Sequence, residues 1–202
     1  MKPLRSPRKR PQQRRSQATV DAILDAAVHV FRETGFAAAT TNAVATRAGV
    51  SIGSLYQYFP NKLALLEALR ERHVRELSAA IGLACDEACA LPWPAALRHV
   101  VTRCRAYNRR HLPLLGILHR ELPVPSHAAD RLALAHSTRQ HQLRKLLEAH
   151  RASITVGVDQ ALFMLPALAR GIFSAAALEQ PDAVEDEKFV DEIMAVMLGY
   201  LA

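Results

Sequence analysis

Glycine is scarce in this chain, eight residues in 202, and neither a phosphate-binding glycine loop nor a nucleophile elbow is read from them. No HExxH pair occurs either, so hydrolase and nucleotide-binding chemistry lack their usual sequence support and no catalytic residue is assigned. Cysteine is rarer still. Cys85, Cys89 and Cys104 are too few and odd in number for the disulfide framework of a small secreted domain, and reduced thiols are expected. No apolar run reaches 18 residues: the longest candidate, Ala161 to Leu178, is interrupted by Pro166, Arg170 and Gly171. The basic N-terminus is not followed by the apolar stretch of a signal peptide. A soluble, cytoplasmic protein with no membrane partner is the expectation. Strand patterning is nearly absent, which points to an all-α fold.

Half of the residues are hydrophobic, enough for a buried core. The formal net charge is +7 and the pI about 9.8. Acids are missing from residues 1–15, which carry Lys2, Arg5, Arg8, Lys9, Arg10, Arg14 and Arg15, so the remaining 19 basic residues balance the 19 acidic ones. With Pro3, Pro7 and Pro11 blocking helix, this segment reads as a disordered basic arm. Such an arm is either a solvated tail or a segment that follows DNA phosphates.

The stretch from Thr40 to Lys62, TTNAVATRAGVSIGSLYQYFPNK, carries most of the functional information. Thr40 can cap a short helix from about Thr41 to Ala48, with Val44, Ala45 and Ala48 on one face. Gly49 supplies the left-handed stop, Val50 an apolar plug, and Ser51 a cap for a second helix from Ile52 to Phe59. Leu55 and Phe59 lie four apart and face inward. Gly53, Ser54, Tyr56, Gln57 and Tyr58 are left on the outer surface. Two short helices joined by a glycine turn form the helix-turn-helix pattern, which is equally a packing corner in other all-α proteins. Ahead of it, a helix from Ser16 or Gln17 to Thr34, stopped by Gly35, offers Ile23, Ala27, Val30 and Phe31 as an apolar stripe. Phe36 closes that small core. After it, Asn61 can cap a long helix reaching Ala84.

Thr41, Val44, Ala45, Ala48, Gly49, Val50 and Ser51, followed by Leu55, Tyr56, Tyr58, Phe59 and Lys62, fill the places of a known signature. On these residues the segment from Ser16 to Leu69 resembles the DNA-binding domain of the TetR family of bacterial transcriptional repressors. The resemblance implies an arm over 1–15, a three-helix DNA-binding domain over 16–60, a connecting helix over 61–84, and an effector-binding and dimerisation domain over 85–202. It implies a homodimer on double-stranded, palindromic operator DNA, released by a small-molecule effector. DNA contact then falls to Thr40, Thr41, Asn42, Ser51, Ile52, Gly53, Ser54, Tyr56, Gln57, Tyr58 and Lys62. Among these, Thr40, Thr41, Tyr56, Tyr58 and Lys62 would hold phosphates, while Ile52, Gly53, Ser54 and Gln57 face base edges. Ile52, three before Leu55, reads equally as core.

Beyond residue 85 the punctuation predicts helices from Pro94 to Arg110, Pro113 to Leu122, Ser126 to His150, Val158 to Leu178 and Ala183 to Leu201, about nine in all. Glu185, Asp186 and Glu187 then sit in the first turn of the last helix. Trp93, Tyr107, Leu114, Leu118, Phe163, Met164 and Phe173 are candidates for an effector pocket of apolar or aromatic character, and each is also a plausible core residue. His111 and His119 can orient a polar ligand group, and Pro166 can kink its helix. Leu162, Leu165, Ala169, Phe189, Ile193, Val196, Met197 and Tyr200 supply apolar faces for the core. By the resemblance, they also serve a four-helix dimer interface.

Cys85 with Cys89, or His136 with His141, lack a third ligand at recognisable spacing, so neither metal nor cofactor is expected. Thiol sensing would need a cysteine of lowered pKa near Arg103 or Arg105. Two other functional classes stay open: an effector-independent basic nucleoid protein, and a helical-bundle enzyme with a DNA-binding head.

Overall fold

The computed structural model describes the backbone of residues 14–122 and 129–202, and the side chains of 16–122 and 137–202. The basic arm expected over 1–15 therefore lies outside the described residues, except for Arg14 and Arg15, which open the first helix. The Pro123–Pro125 break and the expected helix start at Ser126 lie outside them too. Among the described residues the chain is all-α, with no strand. Its helices are α1 (Arg14–Ala38), α2 (Thr41–Ala48), α3 (Ile52–Tyr58), α4 (Lys62–Ala88), α5 (Ala95–Glu121), α6 (Ala129–Ala149), α7 (Val158–Glu179) and α8 (Lys188–Leu201). Short 3-10 turns at Arg151–Ser153 and Pro181–Glu185 precede α7 and α8.

Among the described residues there are eight α-helices where about nine were expected, because Pro94–Arg110 and Pro113–Leu122 are one element. A proline inside a helix removes the donor that the carbonyl four residues back would use. Here Pro113 and Arg109 are both exposed, so water can take that carbonyl and α5 continues. Pro166 likewise lies inside an unbroken α7. The start of α8 is later than the sequence suggested. Ala183 falls in the preceding 3-10 turn, and Glu185, Asp186 and Glu187 all precede Lys188. Asp186 accepts from the Lys188 backbone N–H at 2.9 Å. Arg105 explains why the turn closes there: its guanidinium donates to the carbonyls of Val184, Glu185 and Asp186 at 2.8, 2.9 and 3.0 Å.

Two compact units divide the chain, one drawn from Met1–His73 and Ile117–Val124, the other from Val74–Gly116 and Pro125–Ala202. The division falls inside α4 and inside α5 rather than at their ends. In the first unit Ile23, Ala27, Val30 and Phe31 are buried as their spacing predicts, with Phe36, Val44, Leu55 and Phe59. Phe31 and Phe36 meet edge to face at 5.2 Å. Gly35, at φ 76°, is the non-helical residue that lets α1 bend so that Phe36 can turn back on Phe31. The second unit has its own core, built from the C-terminal part of α4 and from α5 to α8. The largest side chains fully enclosed there are Leu146, Leu147, Leu201 and Val184.

Candidate nucleic-acid interface

The geometry of α2 and α3 follows from three small residues. Thr40, in extended conformation, accepts from the Ala43 N–H at 3.1 Å and starts α2. Gly49 ends it at φ 67° and ψ 29°, and the Val50 N–H reaches the Ala45 carbonyl at 3.1 Å across the left-handed residue. Ser51 accepts from the Ser54 N–H at 3.1 Å and starts α3 after a single extended residue. The angle between the helices is then held by the burial of Val44, Ala45, Leu55 and Phe59. A hydrogen bond of 3.0 Å between Thr41 Oγ1 and the Tyr56 hydroxyl adds a polar tie.

The face turned away from that core is open. Thr40, Asn42, Ser51, Ile52, Gly53, Tyr56 and Gln57 are exposed, and Thr41, Ser54 and Tyr58 are half-buried. Ile52 is 37% exposed and Tyr56 43%, so Ile52 belongs to the surface and not to the core. Ser54 is partly committed, its hydroxyl meeting that of Ser51 at 2.9 Å. The letters Gly49-x-Ser51-x-Gly53 also spell a nucleophile elbow, a coincidence the sequence reading passed over. That motif needs a strand before the serine and a histidine base beside it. Here the serine follows a helix and its hydroxyl serves as a cap.

Lys62 departs from expectation. Its ammonium does not project from the start of α4; it turns inward over the Phe36 ring at 4.7 Å and donates to the carbonyls of Phe36 and Ala37, each at 2.8 Å, and to that of Ala39 at 3.5 Å. These carbonyls end α1, where helix geometry leaves acceptors without intrahelical donors and favours a cation. All three donors of the ammonium are thus engaged within the chain, and none is left for a phosphate in this arrangement. Asn61 does cap α4 as read, accepting from the Ala64 N–H at 2.8 Å. Lys62→Met, which keeps the apolar stem and removes the donors, is expected to destabilise the first unit by about 1–2 kcal/mol. The salt dependence of DNA binding should not change below the melting temperature. An unchanged melting temperature with a shallower salt slope would return Lys62 to the phosphate-binding set.

The other candidate residues are divided between buried and exposed positions. Of the pocket set, Phe163 is the most exposed apolar side chain among the described residues, at 72%, while Phe173 is buried edge to face on Phe189 at 5.5 Å. Trp93 packs beside His150, the Tyr107 hydroxyl donates to Glu76 at 3.0 Å, Met164 is half-buried, and Leu114 and Leu118 are buried. His111 bonds the Tyr107 carbonyl through Nδ1 at 2.9 Å and stacks on its ring at 4.3 Å, whereas His119 is exposed. Of the dimer set, Leu162, Leu165, Phe189, Ile193 and Met197 are buried in the chain's own core, with Ala169 and Tyr200 half-buried and Val196 52% exposed. The most apolar face of a helix serves its own core first, and the large apolar side chains of α7 and α8 left exposed are Phe163, Leu178 and Val196.

Cys85 and Cys104 are buried, and burial pushes both thiols up to about 12; for Cys85 the neighbouring Cys89 and Asp86 push in the same direction. That is the opposite of what thiol sensing requires. Among the described residues no three His, Cys, Asp or Glu side chains are grouped to hold a metal ion. One helix, α7, is long and apolar enough to cross a membrane. Ala161, Leu162, Leu165 and Phe173 on it lie in the core of the second unit.

A helix-turn-helix whose second helix is capped, braced from behind and open on its outer side, carried on an otherwise all-helical chain, defines a DNA-binding transcription regulator. Comparison with known proteins gives the family. Residues 23–69 match the model for bacterial regulatory proteins of the TetR family, and residues 92–201 match the tetracyclin repressor-like C-terminal domain. This chain belongs to the TetR family. It is 40% identical over 57 residues to the HTH-type transcriptional repressor KstR of Mycolicibacterium smegmatis, a match that spans 28% of each chain. It is 22% identical over 174 residues to the probable HTH-type transcriptional regulator YttP of Bacillus subtilis, covering 81% of this chain and 84% of that one. The structure of NalD, the secondary repressor of the MexAB-OprM multidrug efflux pump in Pseudomonas aeruginosa, superposes with a TM-score of 0.59 at 22% identity. That superposition covers 93% of this chain and 98% of NalD.

Proposed function

We propose that this chain is a cytoplasmic, homodimeric repressor that binds a palindromic operator and leaves it when a small molecule occupies the helical body. The supporting observation is the outer face of α3, where Ile52, Gly53 and Gln57 are exposed at the start and middle of a helix braced by Leu55 and Phe59. In this reading Thr40, Thr41, Asn42, Ser51, Tyr56 and Tyr58 hold phosphates, and the Thr41–Tyr56 bond fixes their spacing. Ile52 reaches a thymine methyl, Gly53 permits close approach, Gln57 pairs with adenine, and Ser54 contributes through whichever lone pair its bond to Ser51 leaves free. The basic residues of 1–15 add sequence-independent attraction to phosphates.

Two recognition helices of a dimer would lie about 34–36 Å apart, one turn of the duplex. Phe163, Leu178 and Val196, the large exposed apolar residues of α7 and α8, are the natural contacts between copies. Effector and operator would oppose one another through α4, which runs from the DNA-binding unit into the body.

Selection from random DNA tests the whole reading. A dimeric regulator recovers an inverted repeat, and the spacing of its half-sites reports the dimer geometry. A nucleoid protein would instead bind all sequences alike with steep salt dependence, and that result would overturn the proposal. In the same experiment Gln57→Ala is expected to lose discrimination at one base pair of each half-site, by about 1–3 kcal/mol, while the other positions stay sharp. An unaltered sequence preference in that variant would remove Gln57 from the base-reading set.

A further inference from the structure

Among the described residues of the helical body, four polar side-chain atoms are buried with no hydrogen-bond partner: Ser78 Oγ, Arg139 Nε, Gln142 Oε1 and the Tyr200 hydroxyl. Three of them lie on α4 and α6. Gln142 rests directly on Gly82, where any Cβ would collide with its Oε1. Ser78 precedes Gly82 by one helical turn on the same face of α4, and Arg139 precedes Gln142 by three residues on α6. One end of this polar seam is balanced, because Asp86 accepts from Gln142 Nε2 and from Lys145 Nζ, each at 3.2 Å.

At Arg139 the balance fails. Among the described residues, the charges and thiols that act on its guanidinium come from α7, α5 and α4: Arg170, Cys104 and Cys85, with no carboxylate among them. Both thiols are neutral, since burial pushes each up to about 12. Burial and the second arginine both disfavour the charged guanidinium, which still cannot give up its proton near neutral pH. A half-buried cation with an orphaned N–H, on which a second cation acts, is unfavourable until an anion arrives. Guanidinium groups match carboxylate and phosphate geometry through paired N–H bonds. Leu143 and Leu146, four and seven residues beyond Arg139 on α6, belong to the apolar core of this unit.

We propose that the effector of this regulator is an acidic amphiphile whose carboxylate or phosphate head binds Arg139, with Arg170 as second cation and Ser78 and Gln142 as neutral partners, and whose apolar part lies among the core helices. The proposal rests on the reading of the body as an effector-binding unit. It adds what that unit recognises, a negative charge on an apolar carrier.

The test uses the full chain and matched probes: decanoate and decyl phosphate as the anions, decanamide and decanol as neutral counterparts. Thermal shift and calorimetric titration should show saturable binding of at least one anion and about tenfold or more weaker binding of its neutral counterpart. The better anion identifies the head group. Arg139→Met should abolish the preference for the anion and raise the melting temperature of the unliganded protein, since an unneutralised charge has gone. Arg139→Lys, which keeps the charge and loses the fork, should retain a weakened preference. No saturable binding of either anion, equal binding of anion and neutral counterpart, or an anion preference that survives Arg139→Met would each overturn the proposal. A melting temperature lowered by Arg139→Met would do so as well, because it would mean that the charge is already paired. Operator selection separates this from the reading beneath it. A wild-type protein that selects its palindrome and ignores both anions remains a regulator without this site, and one that binds an anion but selects no sequence keeps the site and loses the regulator.

Discussion

Phe59→Ala is expected to unfold the DNA-binding unit at moderate temperature and to abolish operator binding. The ring is 2% exposed, and its residue ends α3, donating its N–H to the Leu55 carbonyl at 2.9 Å. Truncating a fully buried phenylalanine removes about 3–5 kcal/mol, from lost transfer energy and from the cavity left behind. Domains of this size hold only about 5–15 kcal/mol in total. The second unit has its own core, so denaturation followed by circular dichroism should resolve an early transition for the first unit and a later one near the wild-type midpoint. Tyr58→Ala is the control, since Tyr58 is only half-buried and its loss should leave the early transition within about 1 kcal/mol of wild type. A Phe59→Ala protein that melts with the wild type and still binds DNA would show that α3 is held by something other than this core.

What the sequence disclosed, and what it withheld, follows from the range of the interactions involved. The caps at Thr40 and Ser51 and the turn at Gly49 were legible because each acts on a backbone group within five residues. The stripe Ile23, Ala27, Val30 and Phe31 was legible because helical spacing alone places it on one face. Pro113 was misread as a boundary. Proline reports a missing donor, and only the fold says that Pro113 and Arg109 lie at the surface, where α5 continues. The inward turn of Lys62 is not legible for a similar reason: its acceptors stand 23 to 26 residues earlier in the chain, beyond any local pattern. In α7 and α8 the most apolar stripe was read as serving both core and interface, but the core takes Leu162, Leu165, Ile193 and Met197 and leaves Phe163 and Val196 outside. Arg139 was invisible to the sequence reading because an arginine on a polar helix is ordinarily solvated. Its isolation shows only when α4, α5 and α7 are placed around it.

Gly53→Leu is expected to fold at least as stably as the wild type and to bind the operator more than about tenfold more weakly, a change of about 1.4 kcal/mol or more. Nothing in the chain itself demands glycine at this position. Gly53 lies in the first turn of α3 without a positive φ, and an added Cβ would meet only Ser51 Oγ, at 3.9 Å. Glycine is the poorest helix former after proline, by up to about 1 kcal/mol relative to alanine, so keeping it here costs stability. The contrast with Gly49 is direct. There the left-handed conformation at φ 67° would strain any side chain, and a leucine should destabilise the turn. A glycine that the fold does not need, on an exposed recognition face, is accounted for by a close approach from outside, where a side chain would hold the helix away from base edges or backbone. Melting temperature and operator titration, measured on Gly53→Ala and Gly53→Leu together, separate the two effects. Stability should rise or hold in both while affinity falls with side-chain size. Equal operator affinity in all three proteins would place Gly53 away from the DNA and move the point of closest approach along α3 toward Gln57.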